Sequence, residues 1–283
     1  SASRKVSPAE YCNADDGYEW FGGTVNTKYL TSIFNNDDAF DIDEGFTGLG
    51  QFWFCLMNDD AFNGDKGAEH DGETDDGNDL DVTGGYSLPK TYAVVYNATF
   101  IGNPTKATEP FRLRDAWGGE YKNSIFTDFG GSDKGIELED DGESRFTEGD
   151  IIFAGNTFYN GGSTTAADYA KAPTAGVDTA LEAIFSTTFA TSTLNLVKDP
   201  GVRSLSRRTA NGVNPTFTDA QARANIGNGG AFGVPVSSTF FDSTPNYKGA
   251  FSAGLGDTLW TTGWTALNKR GILVDRPDGL SVD

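Results

Sequence analysis

The side chains most able to do chemistry in this chain are carboxylates crowded into one short stretch. Fifteen of the 41 Asp and Glu residues lie between Asp37 and Asp81, where Lys66 is the single Lys or Arg. Hard cations such as Ca2+ bind clustered carboxylate and carbonyl oxygens. The stretch does not follow EF-hand spacing, because the sixth position counted from Asp71 is Asp76 instead of Gly. We predict a Ca2+ site whose ligands are Asp41, Asp43, Glu69, Asp71, Asp75 and Asp76.

Other kinds of site have little support in the sequence. The sequence contains no G-x-S-x-G motif whose nucleophile the single histidine, His70, could activate. Cys12 and Cys55 form no C-x-x-C pair. The formal net charge of -20 argues against nucleic-acid partners, because phosphate backbones bind clustered Lys and Arg. No apolar run is as long as a membrane-spanning helix requires, so no membrane span is predicted. We expect no organic cofactor, which leaves Ca2+ as the expected cofactor.

A short repeat positions these carboxylates. The segment Asp15–Gly23 recurs 22 residues later as Asp37–Gly45. A third copy can be aligned at Asp59–Phe62 or, after an insertion, at Asp65–Asp71, which keeps the alternation better and is the alignment that we adopt. A unit of 22 residues is too short for a β-α-β crossover and has the length of one coil in a parallel β-solenoid. Weaker copies follow at Glu109–Arg114 and Asp133–Glu139.

Stacked coils align equivalent residues in columns along the axis of the solenoid. Two columns should face inward, one formed by Tyr18, Phe40, Ala68, Phe111 and Ile136, the other by Trp20, Ile42, His70, Leu113 and Leu138. Two should face outward, formed by Glu19, Asp41, Glu69, Arg112 and Glu137 and by Phe21, Asp43, Asp71, Arg114 and Glu139.

The same register makes a prediction about the two thiols. It places Cys12 level with Phe34 and Leu56, and Cys55 level with Ile33. The cysteines would then lie about two coils apart, which is too far for a disulfide bond. Both are therefore predicted to be free.

The periodicity divides the chain into two parts. Residues 1–160 are predicted to form the coils, and residues 161–283 a loop-rich segment that wraps over the coils or caps them. Short helices are expected at Val177–Phe185 and at Thr218–Gly227, with Thr218 as N-cap. No amphipathic capping helix precedes the first copy of the repeat. We therefore expect either that an upstream part has been removed or that a second copy of this chain, or another chain, covers the first coil.

Several motifs give the sequence a specific resemblance. They are Asp15–Asn26, Gly50–Trp53, Asp199–Arg207, Tyr247–Phe251 and Gly263–Leu267. Together they resemble the carboxy-terminal portion of a group of secreted or lipid-anchored bacterial proteins with a β-helix of the pectin-lyase-like type. The resemblance implies an all-β, right-handed parallel β-helix and an extracellular or bacterial cell-surface location. It brings no established activity.

Three interpretations of the predicted acidic face stay open. The one that we favour is a structural, adhesive or glycan-binding protein that self-associates and is stabilised by Ca2+. The second is a lyase or hydrolase that acts on an acidic polysaccharide. Similarity to uronan lyases of this fold implies Arg112 or Arg114 as its base and Ca2+ held by the carboxylates. The third gives the alternating charges no role beyond solvating a sheet face, with the two arginines neutralising their neighbours.

Overall fold

The computed structural model describes residues 9–60, 64–72, 89–130, 135–139, 141–159, 169–185, 195–207, 212–224, 239–252 and 257–275. Most of their regular structure consists of short strands in three parallel sheets. Residues one repeat apart are paired in parallel, as Ala9 is with Thr31, which confirms the predicted all-β, parallel β-helix. Within these ranges no helix combines the length and the apolar character that crossing a membrane requires.

Each sheet takes one strand from successive coils, and the chain visits the sheets in the order A, B, C. Sheet A contains β1 (Ala9–Tyr11), β4 (Thr31–Ile33), β7 (Phe54–Leu56), β10 (Thr99–Ile101), β13 (Ile125–Thr127), β16 (Thr157–Tyr159) and β18 (Leu196–Val197). Sheet B contains β2 (Glu19–Gly23), β5 (Asp41–Phe46), β8 (Glu69–Asp71), β11 (Arg112–Arg114), β14 (Ile136–Leu138) and β17 (Ala170–Lys171). Sheet C contains β3 (Thr27–Lys28), β6 (Leu49–Gln51), β9 (Ala93–Tyr96), β12 (Gly119–Lys122) and β15 (Ile151–Ala154).

The second coil holds one residue more than the first. Phe21 pairs with Asp43, whereas Gly23, two positions further along β2, pairs with Phe46, which is three positions further along β5. The extra residue forms a bulge in β5, where Gly45 has a φ of 79°. The strand pairs that follow in sheets C and A are shifted by the same one residue.

The bulge corrects the predicted register of the cysteines. Cys55 lies level with Ser32, and Leu56 with Ile33, one residue away from the predicted pairing. Periodicity alone could not reveal the shift, because a bulge leaves the hydrophobic alternation on either side of it unchanged. The prediction that both thiols are free is confirmed, because Cys12 lies in the first coil, Cys55 lies in the third, and neither forms a disulfide bond.

The corner between sheets C and A is the most regular part of the coil. In five successive coils the last residue of the sheet C strand and the first of the next sheet A strand are three positions apart. The N–H group of the first corner residue donates to the next coil, as from Asn97 to the carbonyl of Lys122 (3.0 Å). That residue has a left-handed φ between 52° and 70° in every coil, at Tyr29, Phe52, Asn97, Asn123 and Gly155.

The inward columns form the hydrophobic core as predicted, because the sheet B strands pair in the predicted register. Aromatic rings stack within it, and the centroids of Phe40 and Trp53 are 4.8 Å apart. His70 is fully buried, and its Nε2 lies 2.8 Å from the hydroxyl oxygen of Tyr121. Burial lowers the pKa of His70 to about 3, so this histidine is a neutral core residue.

One inner corner of the later coils, just before the sheet A strands, is polar. Ser124, Asn156 and Asn195 occupy equivalent positions of successive coils and are fully buried. The Oδ1 of Asn156 accepts from the N–H of Ser124 (2.9 Å), and the Oδ1 of Asn195 accepts from the N–H of Asn156 (2.8 Å). The Nδ2 of Asn156 also donates to the carbonyl of Tyr121 (2.8 Å). This ladder satisfies backbone groups of the turns that face the core.

The coils continue beyond residue 160, where the predicted boundary lies. β17 adds a strand to sheet B and β18 adds one to sheet A. Thr157 and Leu196 are paired although they lie far apart along the chain, so insertions hide the repeat from a reading of the sequence. Helix α1 (Gly142–Glu148) precedes β15, and α2 (Val177–Glu182) lies where a short helix is predicted.

The segment after the coils lies against the outer side of sheet A. Phe54 and Ile101 of that sheet form a second hydrophobic cluster with Val213, Phe251 and Leu267. The segment contains an antiparallel pair and two one-turn helices, namely β19 (Val202–Leu205), β20 (Val213–Phe217), α3 (Ala220–Arg223) and α4 (Ala266–Lys269).

The N-cap of α3 differs from the prediction. Asp219 caps the helix, because its side chain accepts a hydrogen bond from the N–H of Ala222 (2.7 Å). Thr218 instead donates its hydroxyl hydrogen to the carbonyl of Gly201 (3.1 Å). The prediction of Thr218 as the cap was therefore wrong by one residue, and a carboxylate takes the position that suits the helix N-terminus.

Arg207 anchors this segment to three coils. The side chain is buried, and its Nε donates to the carbonyl of Met57 (2.8 Å). Its Nη2 donates to the carbonyl of Gly102 (2.7 Å) and to the Oδ2 of Asp128 (2.6 Å). Each of these partners directly follows a sheet A strand in a different coil.

Candidate functional site: the carboxylate face of sheet B

The outer face of sheet B collects charged side chains from five coils. Its strands place Glu19, Asp41, Glu69, Arg112 and Glu137 side by side, in the predicted order. Lys171 on β17 continues the row and forms an ion pair with Glu137. Neighbouring strands lie about 4.8 Å apart, so adjacent carboxylates repel one another unless a cation separates them.

Arg112 and Arg114 are both engaged by carboxylates. Arg114 binds Asp71 through two hydrogen bonds, Nε to Oδ1 at 2.6 Å and Nη2 to Oδ2 at 2.9 Å. The Nε of Arg112 donates to Glu139 (2.8 Å). The Oε1 of Glu69 lies 3.4 Å from Arg112 and 3.3 Å from Arg114. Bidentate pairs of this kind hold a guanidinium group in one orientation.

These ion pairs raise the pKa of both guanidinium groups. For Arg114 the hydrogen bond with Asp71 is the main cause. For Arg112 burial acts in the opposite direction, but the hydrogen bond and the charge of Glu139 outweigh it. A general base must first give up its own proton, so a raised pKa works against that role for either arginine.

Among the described residues, the predicted Ca2+ ligands do not gather into one group. Glu69 and Asp71 bind the arginines, and Asp75 and Asp76 lie outside the described residues. The carboxyl group of Asp43 lies within hydrogen-bonding reach of Asp71, and burial followed by the charge of Asp71 raises the pKa of Asp43 to about 7. Of the predicted ligands that the structure describes, Asp41 alone belongs to a group of carboxylates close enough to share a metal ion.

That group is formed by Asp16, Glu19 and Asp41. One carboxylate oxygen from each lies within 4.8 Å of the others. The Oδ1 of Asp41 is buried and has no hydrogen-bond partner in the part of the chain that the structure describes. In that same part, no Lys or Arg forms an ion pair with any member of the trio. Asp16 is held in place because its Oδ1 accepts from the N–H of Asp38 (2.9 Å).

Burial raises the pKa of all three carboxyl groups. The pKa of Asp16 rises to about 6 and that of Asp41 to about 9, and nearby negative charges add to the effect of burial in both cases. The pKa of Glu19 is also raised, chiefly by burial and then by the charge of Asp15. A divalent cation among the three would favour their ionised forms. The trio therefore has the donor chemistry for Ca2+ and a local deficit of positive charge.

A second group of carboxylates, at the corner before β5, does not have a local deficit of positive charge. Asp37, Asp38 and Asp65 offer oxygens within 4.8 Å of one another. The Nζ of Lys66 is 2.9 Å from Asp65, and the N–H of Lys66 donates to Asp38 (2.5 Å). Burial raises the pKa of Asp38 to about 10, as it raises that of Asp41, so the nearby Lys66 is what distinguishes this group from the trio.

Sequence reasoning missed Asp16 and Glu19 as members of the trio. The pair Asp15–Asp16 has the pattern of an Asx turn, and Glu19 has the pattern of an outward strand residue. The repeat does align Glu19 with Asp41, which was a usable signal. Asp16 carried no such signal, because its contact with the trio depends on how the turn folds against the strand.

Three parallel sheets wound from successive coils, with a row of charged residues on one outer face, define a parallel β-helix. A family model described as a pectate-lyase like beta helix domain matches residues 9–199. The chain belongs to this family, and the match ends just after β18, the last strand of the parallel sheets. No curated protein and no solved structure gives a significant match.

Proposed function

We propose that this protein is a secreted or cell-surface β-helix with a structural, adhesive or glycan-binding role, stabilised by Ca2+ at Asp16, Glu19 and Asp41. The observation that carries the proposal is the Oδ1 of Asp41, which is buried without a hydrogen-bond partner among the described residues. Buried polar atoms nearly always have a partner. Two further carboxylates within 4.8 Å make a cation the chemically suitable one.

Bound Ca2+ would supply positive charge between the first and second coils. Glu19 and Asp41 lie on the paired strands β2 and β5, and Asp16 lies in the turn that leads into β2. Backbone carbonyls and water would complete the roughly six to eight oxygens that Ca2+ takes. The ion would thus hold the first coil to the second.

The enzymatic alternative has weaker support. A lyase base would have to be Arg112 or Arg114, whose ion pairs favour the protonated form. A glycoside hydrolase needs two carboxyl groups about 5 to 9.5 Å apart. Asp43 and Asp71 interact directly, so this pair does not have that spacing.

The first coil has features that support assembly with another chain. Among the described residues, β1, β2 and β3 lie at the edges of their sheets, and edge strands carry backbone groups that can pair with a further strand. The exposed large hydrophobic residues of the described part are Phe21 (64% exposed) and Val25 (52% exposed), and both belong to this coil. The partner in this proposal is a second copy of the chain or another protein that covers the coil.

The test is the melting temperature in Ca2+ and in excess EDTA. An ion present at about 100 times its Kd stabilises a protein by about 2.7 kcal/mol, which corresponds to roughly 5 to 10 °C for a domain of this size. Asp41→Asn should remove most of the difference. Glu148→Gln, at an exposed position of α1, is the matched control and should keep it.

Two results would go against the proposal. A wild-type melting temperature that is the same in Ca2+ and in EDTA would refute a stabilising ion. Release of unsaturated products from polygalacturonate or alginate, lost in Arg114→Lys, would favour the lyase in place of the structural role.

A further inference from the structure

The outer edge of strand β2 in sheet B is open in the part of the chain that the structure describes. On one side β2 pairs with β5, and no described strand pairs with its other side. Glu19 and Phe21 point outward and are exposed, and Trp20 between them points inward and is half-buried. An open edge strand offers backbone N–H and carbonyl groups to a further strand. The side chains along this edge therefore indicate which kind of strand would fit.

The later strands of sheet B show what lies beside a glutamate in the outward row. The side chain of Glu69 lies 3.4 Å from that of Arg112 on the next strand. In the same way Glu137 forms an ion pair with Lys171. Beside Glu19, strand β5 supplies another carboxylate, and no described Lys or Arg forms an ion pair with Glu19. Opposite charges on neighbouring strands stabilise a sheet and like charges destabilise it, so an added strand should carry Lys or Arg beside Glu19.

The two aromatic residues of β2 add an apolar requirement. The side chain of Phe21 is 64% exposed, and it is the apolar member of an outward column that is otherwise charged. Trp20 stacks on Trp53 of the core with a centroid separation of 5.3 Å, yet it stays half-buried at the open edge. Removing apolar surface from water favours association. A strand with apolar residues beside Trp20 and Phe21 would bury more of both rings.

A second copy of this chain fits the open edge poorly. Head to head, the carboxylates of Asp15 and Glu19 would face those of the other copy, and like charges repel. Head to tail, Lys171 on β17 would come to lie beside Glu19. Helix α2 already occupies that edge, because the N–H of Ala172, directly after β17, donates to the side chain of Asp178. These contacts favour a different polypeptide as the partner.

We propose that β2 accepts an extended segment of another polypeptide, which carries Lys or Arg beside Glu19 and apolar residues beside Trp20 and Phe21. This inference rests on the assembly that is part of the proposed function, and it specifies the partner by its chemistry. In β-strand addition the backbone hydrogen bonds supply affinity and the alternating side chains supply specificity. Ca2+ at the trio does not replace the basic residue, because three carboxylates carry one charge more than the ion neutralises.

Fluorescence anisotropy with three labelled peptides tests the proposal. The first is fluorescein-Gly-Thr-Val-Arg-Leu-Val-Thr-Gly-amide, and the other two have Gln or Glu in place of Arg. The titrations contain EDTA and an ionic strength of about 0.01 M, at which charges are weakly screened. The Arg peptide should bind about threefold more tightly than the Gln peptide and about tenfold more tightly than the Glu peptide. Equal affinities of the three peptides, or no binding of the Arg peptide at millimolar concentration, would overturn the proposal.

Charge reversal at one residue locates the site. Glu19→Arg should invert the order, so that the Glu peptide binds more tightly than the Arg peptide. Glu148→Arg, at an exposed position of α1, changes the net charge equally and should keep the wild-type order. An unchanged order in Glu19→Arg would mean that the peptides bind elsewhere, and the proposal would be wrong.

The outcome is separable from that of the Ca2+ test. The expected order of the peptides, together with a melting temperature that is the same in Ca2+ and in EDTA, would refute the ion and support the strand site. A melting temperature raised by Ca2+, together with equal binding of the three peptides, would refute the strand site alone.

Discussion

The anchor formed by Arg207 should contribute a large part of the stability of the C-terminal segment. Arg207→Met keeps much of the side-chain length but removes all three hydrogen bonds. It leaves the carbonyls of Met57 and Gly102 without their donor, and it leaves Asp128 without its cation. Burial already raises the pKa of Asp128, against the opposing effect of Arg207.

The expected cost follows from these groups. Each buried acceptor that loses its partner costs about 1 to 3 kcal/mol, and breaking a buried ion pair costs about 3 to 5 kcal/mol. Because the contributions overlap, we expect a loss of about 3 to 5 kcal/mol. A loss of this size is a substantial fraction of the about 5 to 15 kcal/mol that stabilises an ordinary domain.

Urea unfolding and hydrogen exchange together test this prediction. Arg207→Met should lower the free energy of unfolding and increase amide exchange in β19 and β20 more than in the coils. Adding Asp128→Asn should recover part of the loss, because it removes the unpaired charge. Arg270→Met at an exposed position is the matched control and should change stability by less than about 0.5 kcal/mol. A loss below about 1 kcal/mol with unchanged exchange would refute the role of Arg207 as an anchor.

Two further predictions concern the first coils and the polar ladder. In EDTA, Asp41→Asn should become more stable relative to the wild type as the pH rises from about 4 to about 9. The reason is that folded Asp41 holds its proton up to a pKa of about 9, whereas the unfolded chain releases it near 3.8. Urea midpoints of both proteins across this range measure the effect, and a constant difference would contradict the buried environment of Asp41. Asn156→Ala should cost about 2 to 4 kcal/mol, because Ser124 and Tyr121 lose their partners in the core. Asn36→Ala, at an exposed position between β4 and β5, is its control, and equal midpoints for the two variants would argue against the ladder.

The parts of the fold that follow from local alternation could be predicted from the sequence. Ile42, His70 and Leu113 alternate with charged neighbours, so their inward direction and their alignment across the coils follow from the period of a strand. The bulge at Gly45 could not be predicted this way, because it changes the register without changing the alternation. The last coils were hidden by insertions, as the pairing of Thr157 with Leu196 illustrates.

The chemistry of the acidic face was less predictable than its position. The repeat placed Arg112 and Arg114 beside Glu69 and Asp71, but only the side-chain geometry shows that the arginines bind these carboxylates. Contacts between distant segments carry no periodic signal. Arg207 meets Met57 from a remote part of the sequence.

The constant corner between sheets C and A has a consequence for how such a protein changes over time. Phe54 and Thr99, which are paired in sheet A, are about twice as far apart in the sequence as the paired residues Ala9 and Thr31. The corner between sheets C and A nevertheless has the same length in both coils. Added residues are therefore accepted elsewhere, as between β8 and β9. Alignment of the coils and diversity of the surface are thus encoded in different parts of each repeat. New loops can be acquired, or grafted by design, one coil at a time without disturbing the stack.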